Sequence, residues 1–233
     1  MRTLSHKIRV AILDDHQSII DGYRYRLDHE LDIEVVAAAH YGEEIEPLLA
    51  KHETDVLLLD INVPVAPDNP NPYPILHVIP RILQIYPNLN ILIISMYCER
   101  ALIKASLEAG VAGYILKDDR ETIVDLPGII RSVVRGGIYF SQRAYQQLRR
   151  PLASEPHLTP RQKQLLSLCA AYPDETTAEL ARRLGVASST LRNLLSEAYL
   201  QLNVHSKVAA ILKAREMGLI TPPVHLDSEE QFH

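Results

Sequence analysis

Short, continuously apolar runs alternate along the chain with segments whose apolar residues recur every three or four positions. The runs lie at 8–13, 34–38, 56–59, 91–94 and 113–116. Runs this short, bounded by polar residues, suit strands buried on both faces of a parallel sheet. Between them, Ile19, Ile20, Tyr23 and Leu27, then Ile45, Leu48 and Leu49, then Leu102, Ile103, Ser106 and Leu107 mark helical faces. A last helix, carried by Ile123, Leu126, Ile129, Ile130, Val133 and Val134, stops at Gly136-Gly137. Strands alternating with helices of this length predict an α/β five-stranded parallel doubly wound domain over residues 6–140.

The pattern changes after residue 140. Residues 141–156 are polar and basic with Pro151 and Pro156 near their end, and read as a linker into which Tyr145 and Leu148 extend some helix. From 157 to 220 only helical periodicity remains, which predicts an all-α four-helix domain. Thr159, Pro160 and Gln162 form a capping box at its start, and Thr176 with Glu179 repeats it. Gly185 separates the second helix from a third that Ser188 caps, with Leu191, Leu195, Ala198 and Leu202 on its inner face. A fourth runs from Ser206 to Met217. Two short helices around a glycine turn are a helix-turn-helix, whose second helix enters the DNA major groove. Its outward positions here are Ser189, Arg192, Asn193 and Ser196, while Thr176 and Arg183 are placed for backbone phosphates. The tail 221–233, with Pro222-Pro223 and three acidic residues, reads as disordered.

One stretch fits neither pattern. Residues 63–74 hold Pro64, Pro67, Pro70, Pro72 and Pro74, which favours a stiff extended excursion over a helix start. Ile75, Ile79, Ile82 and Leu83 then resume a helical face that Pro80 would kink or restart. The segment reads either as a surface loop or as an element that changes partner docking beside Asp60.

Composition narrows the class. At 233 residues, with 47% hydrophobic and 23% charged positions, the chain fits two soluble domains. It has neither an apolar run long enough for a membrane span nor a signal-like N-terminus, so a cytoplasmic protein with no membrane association is expected. Cys98 and Cys169 read as packing thiols. Charge is uneven: residues 1–150 carry 16 Lys and Arg against 20 Asp and Glu, a balance of −4, whereas residues 157–220 carry 8 against 5, a balance of +3. The second domain is thus the one expected to meet an anionic partner.

In doubly wound sheets, ligands sit outside the carboxyl ends of the strands. Four of the five runs end there on polar groups: Asp14-Asp15, Asp60, Ser95 and Lys117. Each alone has an ordinary explanation, Asp14 as a helix cap, Lys117 as a solvated charge, Tyr114 as a half-buried aromatic. His16 is read as a surface or capping residue. Together, three carboxylates repel one another, and an all-oxygen donor set favours Mg2+. Asp60 is then placed to accept a phosphoryl group, with Lys117 neutralising the charge that develops.

This set, with Tyr114 and the strings at 10–16 and 109–118, resembles the receiver domain of two-component response regulators. The resemblance implies that a histidine kinase phosphorylates Asp60. Mg2+ would be held by Asp14, Asp15, Asp60 and the Asn62 backbone carbonyl, and Ser95 and Tyr114 would be a switch pair. The strings Leu-Thr-Pro-Arg at 158–161, Glu-Leu-Ala-Arg-Arg-Leu-Gly-Val at 179–186 and Ser-Thr-Leu-Arg-Asn at 189–193 resemble the LuxR-type helix-turn-helix of the same regulators (the NarL/FixJ class). That implies a transcription regulator binding double-stranded promoter DNA, forming a homodimer on activation through the last helix. Val208, Ile211 and Leu212 are the dimerisation candidates, unless they pack on the preceding helices. The chain departs from the pattern in the 63–74 segment, at Gln162 where Glu is usual, and at Leu194 where His is usual.

Two other functions use the same residues. A phosphatase passing through an aspartyl phosphate needs an acid two residues after the nucleophile, and position 62 is Asn. The reading is therefore a regulator and not an enzyme. The alternative is a DNA-binding regulator whose atypical receiver answers to a partner through the proline-rich loop instead of to phosphate.

Overall fold

The structure is a computed structural model that describes residues 7–149 and 158–223. Residues 150–156 of the expected linker and 224–233 of the expected tail lie outside them. The first domain is built on β1 (Ile8–Leu13), β2 (Ile33–Ala39), β3 (Val56–Leu59), β6 (Asn90–Ser95), β7 (Gly113–Leu116) and β8 (Tyr139–Phe140). They form one parallel sheet in the order β2-β1-β3-β6-β7-β8. The sixth strand, β8, has only two residues, too few to leave a periodic signal.

Alternate residues of each strand face opposite layers. Val10, Ile12, Val56, Leu58, Leu92, Ile94 and Ile115 pack beneath α1 (Gln17–Leu27) and α6 (Leu126–Val134). Ala11, Leu13, Leu57, Leu59, Ile91, Ile93 and Tyr114 join the opposite core with α2 (Ile45–Lys51), α3 (Ile75–Ile85) and α4 (Arg100–Glu108). Burial on both faces is what the unbroken apolar runs require. The last helix of the first domain is in two pieces: α5 (Arg120–Val124) stops, and α6 restarts at Leu126 with Pro127 in its first turn, where a missing N–H costs nothing. By contrast α3 runs unbroken through Pro80.

The proline-rich stretch is a folded hairpin. Strands β4 (Pro64–Ala66) and β5 (Asn69–Pro72) pair antiparallel, and the turn between them places Pro67 and Asp68 at positions those residues favour. Val63, Val65 and Tyr73 are buried in the core of the first domain, so the segment is not an ordinary surface loop. Gly42 makes room for it, since a Cβ there would lie 2.0 Å from Tyr73 Cγ.

Residues 142–149, expected in the linker, form α7 (Gln142–Arg149), which packs on α4 and β7 with Ala144 fully buried. The second domain comprises α8 (Pro160–Ala171), α9 (Thr177–Leu184), α10 (Ser188–Leu202) and α11 (Lys207–Glu216) around a core of its own. Both capping boxes are formed, at Thr159 with Gln162 and at Thr176 with Glu179. Gly185 ends α9 at φ +69°, in the left-handed conformation that glycine adopts without strain. Ser188 is not the cap of α10: Ala187 holds the N-cap position, without a side-chain bond.

The second domain docks on the first. Asn69 Nδ2, from the hairpin, donates to the Ala171 carbonyl at the open end of α8 (3.0 Å). His77 Nε2 on α3 lies 2.9 Å from Ser167 Oγ on α8, and the Tyr172 hydroxyl donates to Glu43 (3.3 Å). Burial pushes the His77 imidazole down to about 4; the Lys163 charge adds to that and a backbone hydrogen bond at Lys163 opposes it. A solvated imidazole titrates near ~6.5, so docking favours the neutral ring. The contact is therefore at full strength above ~6.5 and weakens as pH falls from there toward about 4. Small-angle scattering is expected to show the radius of gyration growing between pH 7 and pH 5, and growing less in His77→Gln; a wild-type radius that does not change would contradict this.

Candidate functional site

The carboxyl ends of β1, β3, β6 and β7 bring Asp14, Asp60, Ser95 and Lys117 to one edge of the sheet. Lys117 Nζ donates to Asp14 Oδ2 and to Asp60 Oδ2, both at 2.7 Å. Asp14 is 1% exposed and Asp60 6%. Their other oxygens accept backbone amides, Asp14 Oδ1 from His16 and Asp60 Oδ1 from Asn62, each at 3.0 Å. Burial lifts the Asp60 carboxyl above its ordinary range, with Lys117 opposing. Burial pulls the Lys117 ammonium down, but Asp60 and Asp14 outweigh it and hold it above its usual value.

Asp15 is also raised by burial, against the pull of His16, whose Nδ1 lies 2.7 Å from Asp15 Oδ1. His16 holds the N-cap position of α1 but makes no side-chain cap bond there. Ligand atoms of Asp14, Asp15 and His16 lie within 4.8 Å of one another. The three carboxylates outnumber the Lys117 ammonium, and His16 beside Asp15 offsets only part of the remainder, so the pocket keeps an excess of negative charge. That imbalance and the hard oxygen donors fit a divalent cation such as Mg2+. The Asn62 Oδ1, buried beside Asp60, has no hydrogen-bond partner among the described residues.

Ser95 and Tyr114 do not touch Asp60 through any hydrogen bond among the described residues. Their side chains interact with each other, and both also reach Tyr97, a residue that the sequence pattern does not single out. The Tyr97 amide donates to Ser95 Oγ (3.2 Å), and the Tyr114 hydroxyl donates to the Tyr97 carbonyl (2.7 Å). Tyr114 is fully buried, with its phenol raised chiefly by burial. The available signal was positional: Tyr97 stands two residues past Ser95, as Asn62 stands two past Asp60. Cys98 is a free, half-buried thiol raised by burial, which suits packing.

In the second domain Ser189, Arg192, Asn193 and Ser196 are all exposed on one side of α10, and docking leaves them uncovered. Thr176 and Arg183 are engaged elsewhere. The Thr176 hydroxyl completes the α9 capping box. Arg183 stacks over the Tyr172 ring at 3.7 Å and pairs with Glu175. Of the dimerisation candidates, Val208 and Leu212 are exposed on α11. Ile211, 9% exposed, lies in the domain's own core because α11 turns that face to α8 and α10, so it is not available as a surface contact.

Comparison with known proteins places this architecture. Residues 10–126 match the response regulator receiver domain, and residues 156–214 match the bacterial regulatory proteins of the luxR family. The fold is shared with solved structures of RcsB from Salmonella enterica serovar Typhimurium. In one, bound to promoter rprA in the presence of phosphomimetic BeF3−, the TM-score is 0.63 at 22% identity, covering 89% of this chain and 98% of that one. Such a fold defines a receiver joined to a helix-turn-helix domain. The chain belongs to the two-component response regulators with a LuxR-type DNA-binding domain. Among curated relatives, a Bacillus subtilis protein described as the uncharacterized transcriptional regulatory protein YvfU is 30% identical, covering 91% of this chain and 100% of the relative. The transcriptional regulatory protein DegU of Brevibacillus brevis is 25% identical over 92% of this chain and 96% of its own length. The relatives are transcription regulators. Nothing found favours the alternative in which a partner acts through the proline-rich loop, and the hairpin packs on the chain's own α8. Among the described residues no helix is long and apolar enough to cross a membrane.

Proposed function

We propose that this regulator takes a phosphoryl group on Asp60 from a histidine kinase and, in response, changes its hold on promoter DNA. The observation that carries the reading is the Lys117 ammonium bridging Asp14 and Asp60 at 2.7 Å, in a pocket whose carboxylates outnumber it. An Asp60 oxygen forms the new O–P bond while the N–P bond of the donor phosphohistidine breaks and its imidazole leaves. Lys117 then turns from Asp60 to the phosphoryl oxygens, where charge accumulates. Mg2+, held by Asp14, Asp15, Asp60 and the Asn62 carbonyl, would neutralise those same oxygens.

Ser95 is placed to donate its hydroxyl to a phosphoryl oxygen. Turning it that way draws Oγ from the Tyr97 amide and loosens the loop between β6 and α4. Because Tyr114 is already buried, the movement passes through Tyr97 and not through a swing of the Tyr114 ring. On the output side, Arg192 and Asn193 suit guanine and adenine edges, with Ser189 and Ser196 beside them. Undocking takes the receiver's Glu43 away from Tyr172 and from the Arg183 charge. Arg183, still stacked on Tyr172 and paired with Glu175 in its own domain, is then open to a DNA phosphate, and Thr176 presents its end of α9 to the same backbone. Val208 and Leu212 would pair two copies on adjacent half-sites.

The test is intact-protein mass after incubation with Mg2+ and a small phosphodonor such as acetyl phosphate. One phosphoryl group is expected on the wild type and none on Asp60→Asn. Equal labelling of the two proteins would contradict the assignment.

A further inference from the structure

After α11 the chain does not leave the molecule. Gly218, at φ +63°, turns it against the start of α4, so closely that a Cβ there would lie 3.2 Å from Glu99 Cβ and 3.3 Å from the Leu102 amide nitrogen. Ile220, Thr221 and Pro222 are buried in succession, although residues from 221 onward were expected to be disordered. The Pro223 carbonyl then accepts two hydrogen bonds from the receiver, one from Asn62 Nδ2 at 3.0 Å and one from the Tyr97 hydroxyl at 3.2 Å. These two residues flank the phosphoacceptor: the backbone N–H of Asn62 donates to Asp60 Oδ1, and the backbone N–H of Tyr97 donates to Ser95 Oγ.

We infer that residues 221–223 are a strap by which the DNA-binding domain closes the rim of its own receiver's phosphoacceptor pocket, so that strap docking and Asp60 phosphorylation exclude each other. The inference rests on the Asp60 reading above. Its occupant is a named segment of this chain, and its partner surface is the rim made by Asn62, Tyr97 and the N-terminus of α4. Three consecutive features of the strap argue for a fitted contact. Gly218 gives the close turn, two prolines limit the conformations the segment must lose on docking, and one carbonyl is aimed between two donors.

The competition has a physical basis at both donors. A donor reaching Asp60 must pass the edge at which Asn62 and Tyr97 are held by Pro223. Once Ser95 turns to the phosphoryl group, Tyr97 loses its amide anchor and with it the position from which its hydroxyl reaches the strap. Because the strap follows α11 directly, releasing it also frees the α11 surface that carries Leu212, which lines the groove between strap and receiver. Coupling of this kind is reciprocal: whatever weakens the strap also speeds phosphoryl uptake.

The test uses the full-length chain with residues 221–223 replaced by three glycines, which leaves every receiver side chain in place. Tyr97→Phe is a second variant that removes one of the two bonds and leaves the strap sequence intact. Rates of labelling by acetyl phosphate with Mg2+ are followed by intact mass, and amide exchange of the peptides covering 97–102 and 217–221 reports docking. The glycine variant keeps the acceptor carbonyl at 223 but loses the buried Thr221 and Pro222 side chains and gains chain freedom. It is expected to be labelled about tenfold faster than wild type. Tyr97→Phe, which removes one hydrogen bond, is expected to act less strongly but in the same direction. Wild-type protein should lose protection in both peptides once phosphorylated. Labelling of all three proteins at equal rates, or protection that survives phosphorylation, overturns the strap while leaving Asp60 as acceptor. Absence of label on every protein overturns the Asp60 reading and the strap's role together.

Discussion

Replacing Lys117 with Met is expected to destabilise the receiver by about 3–5 kcal/mol, the cost of removing one partner from a buried charge cluster. Met keeps the stem packed against its neighbours, so the loss reports the charge and not a cavity. Without the ammonium, Asp14 and Asp60 face each other at 1% and 6% exposure with only backbone amides to hold them. Burial already lifts Asp60 with Lys117 present, and the variant removes the group that opposes that lift. Urea unfolding without metal should show the full loss, and Mg2+ should restore part of it by supplying the missing positive charge. Equal stability of wild type and variant, with no effect of Mg2+, would mean that Lys117 is not what compensates the carboxylates.

Much of this site was legible in the sequence because it depends on strand ends. An apolar run buried on both faces leaves little doubt about its register, and so the residue after each run falls at the sheet edge. Asp14, Asp60, Ser95 and Lys117 follow from that alone. What was not legible depends on long-range contacts. The proline-rich segment has the turn residues Pro67 and Asp68, yet its prolines hide the strand pattern: Pro64 and Pro72 face each other across the hairpin, neither with an N–H to donate, which a two-stranded ribbon tolerates and a central strand would not. Its burial of Val63, Val65 and Tyr73 requires the space left at Gly42, which no local pattern shows.

The second domain shows the same division. Its capping boxes are local and were predicted residue by residue. The use of Gln162 is not local: its Oε1 accepts the Thr159 amide while its Nε2 donates to Glu197 on α10 at 3.0 Å. A Glu at that position would set two carboxylates together, which explains why Gln stands there. The periodicity of α11 correctly marks Ile211, Leu212 and Val208 as apolar, but the sequence could not divide them between core and surface. Ile211 went to the core. Arg183 looked like a phosphate contact because it is basic and near the motif, and the aromatic that holds it, Tyr172, lies eleven positions away along the chain.

The second large effect is the change in DNA affinity on phosphorylation. The docked arrangement leaves Arg192 and Asn193 exposed but sets the receiver's Glu43 against Tyr172 and the Arg183 stacked on it. Phosphorylation should therefore alter backbone contacts and pairing of two copies more than base reading. Coupling between two such sites is typically worth about 1–3 kcal/mol, or about 5–150-fold in affinity. Since the residues proposed to read bases, Ser189, Arg192, Asn193 and Ser196, are already uncovered in the docked arrangement, the sequence preferred by the protein should stay the same while its affinity changes.

The measurement that tests this most directly takes duplexes enriched from a random library by the phosphorylated protein. Their dissociation constants are then determined at fixed salt for wild type and Asp60→Asn, each with and without acetyl phosphate and Mg2+. The account predicts a change of about 5–150-fold on adding the donor to wild type, and none for Asp60→Asn. Wild-type affinity that does not respond to the donor, or an equal response in Asp60→Asn, would contradict control of DNA binding through Asp60.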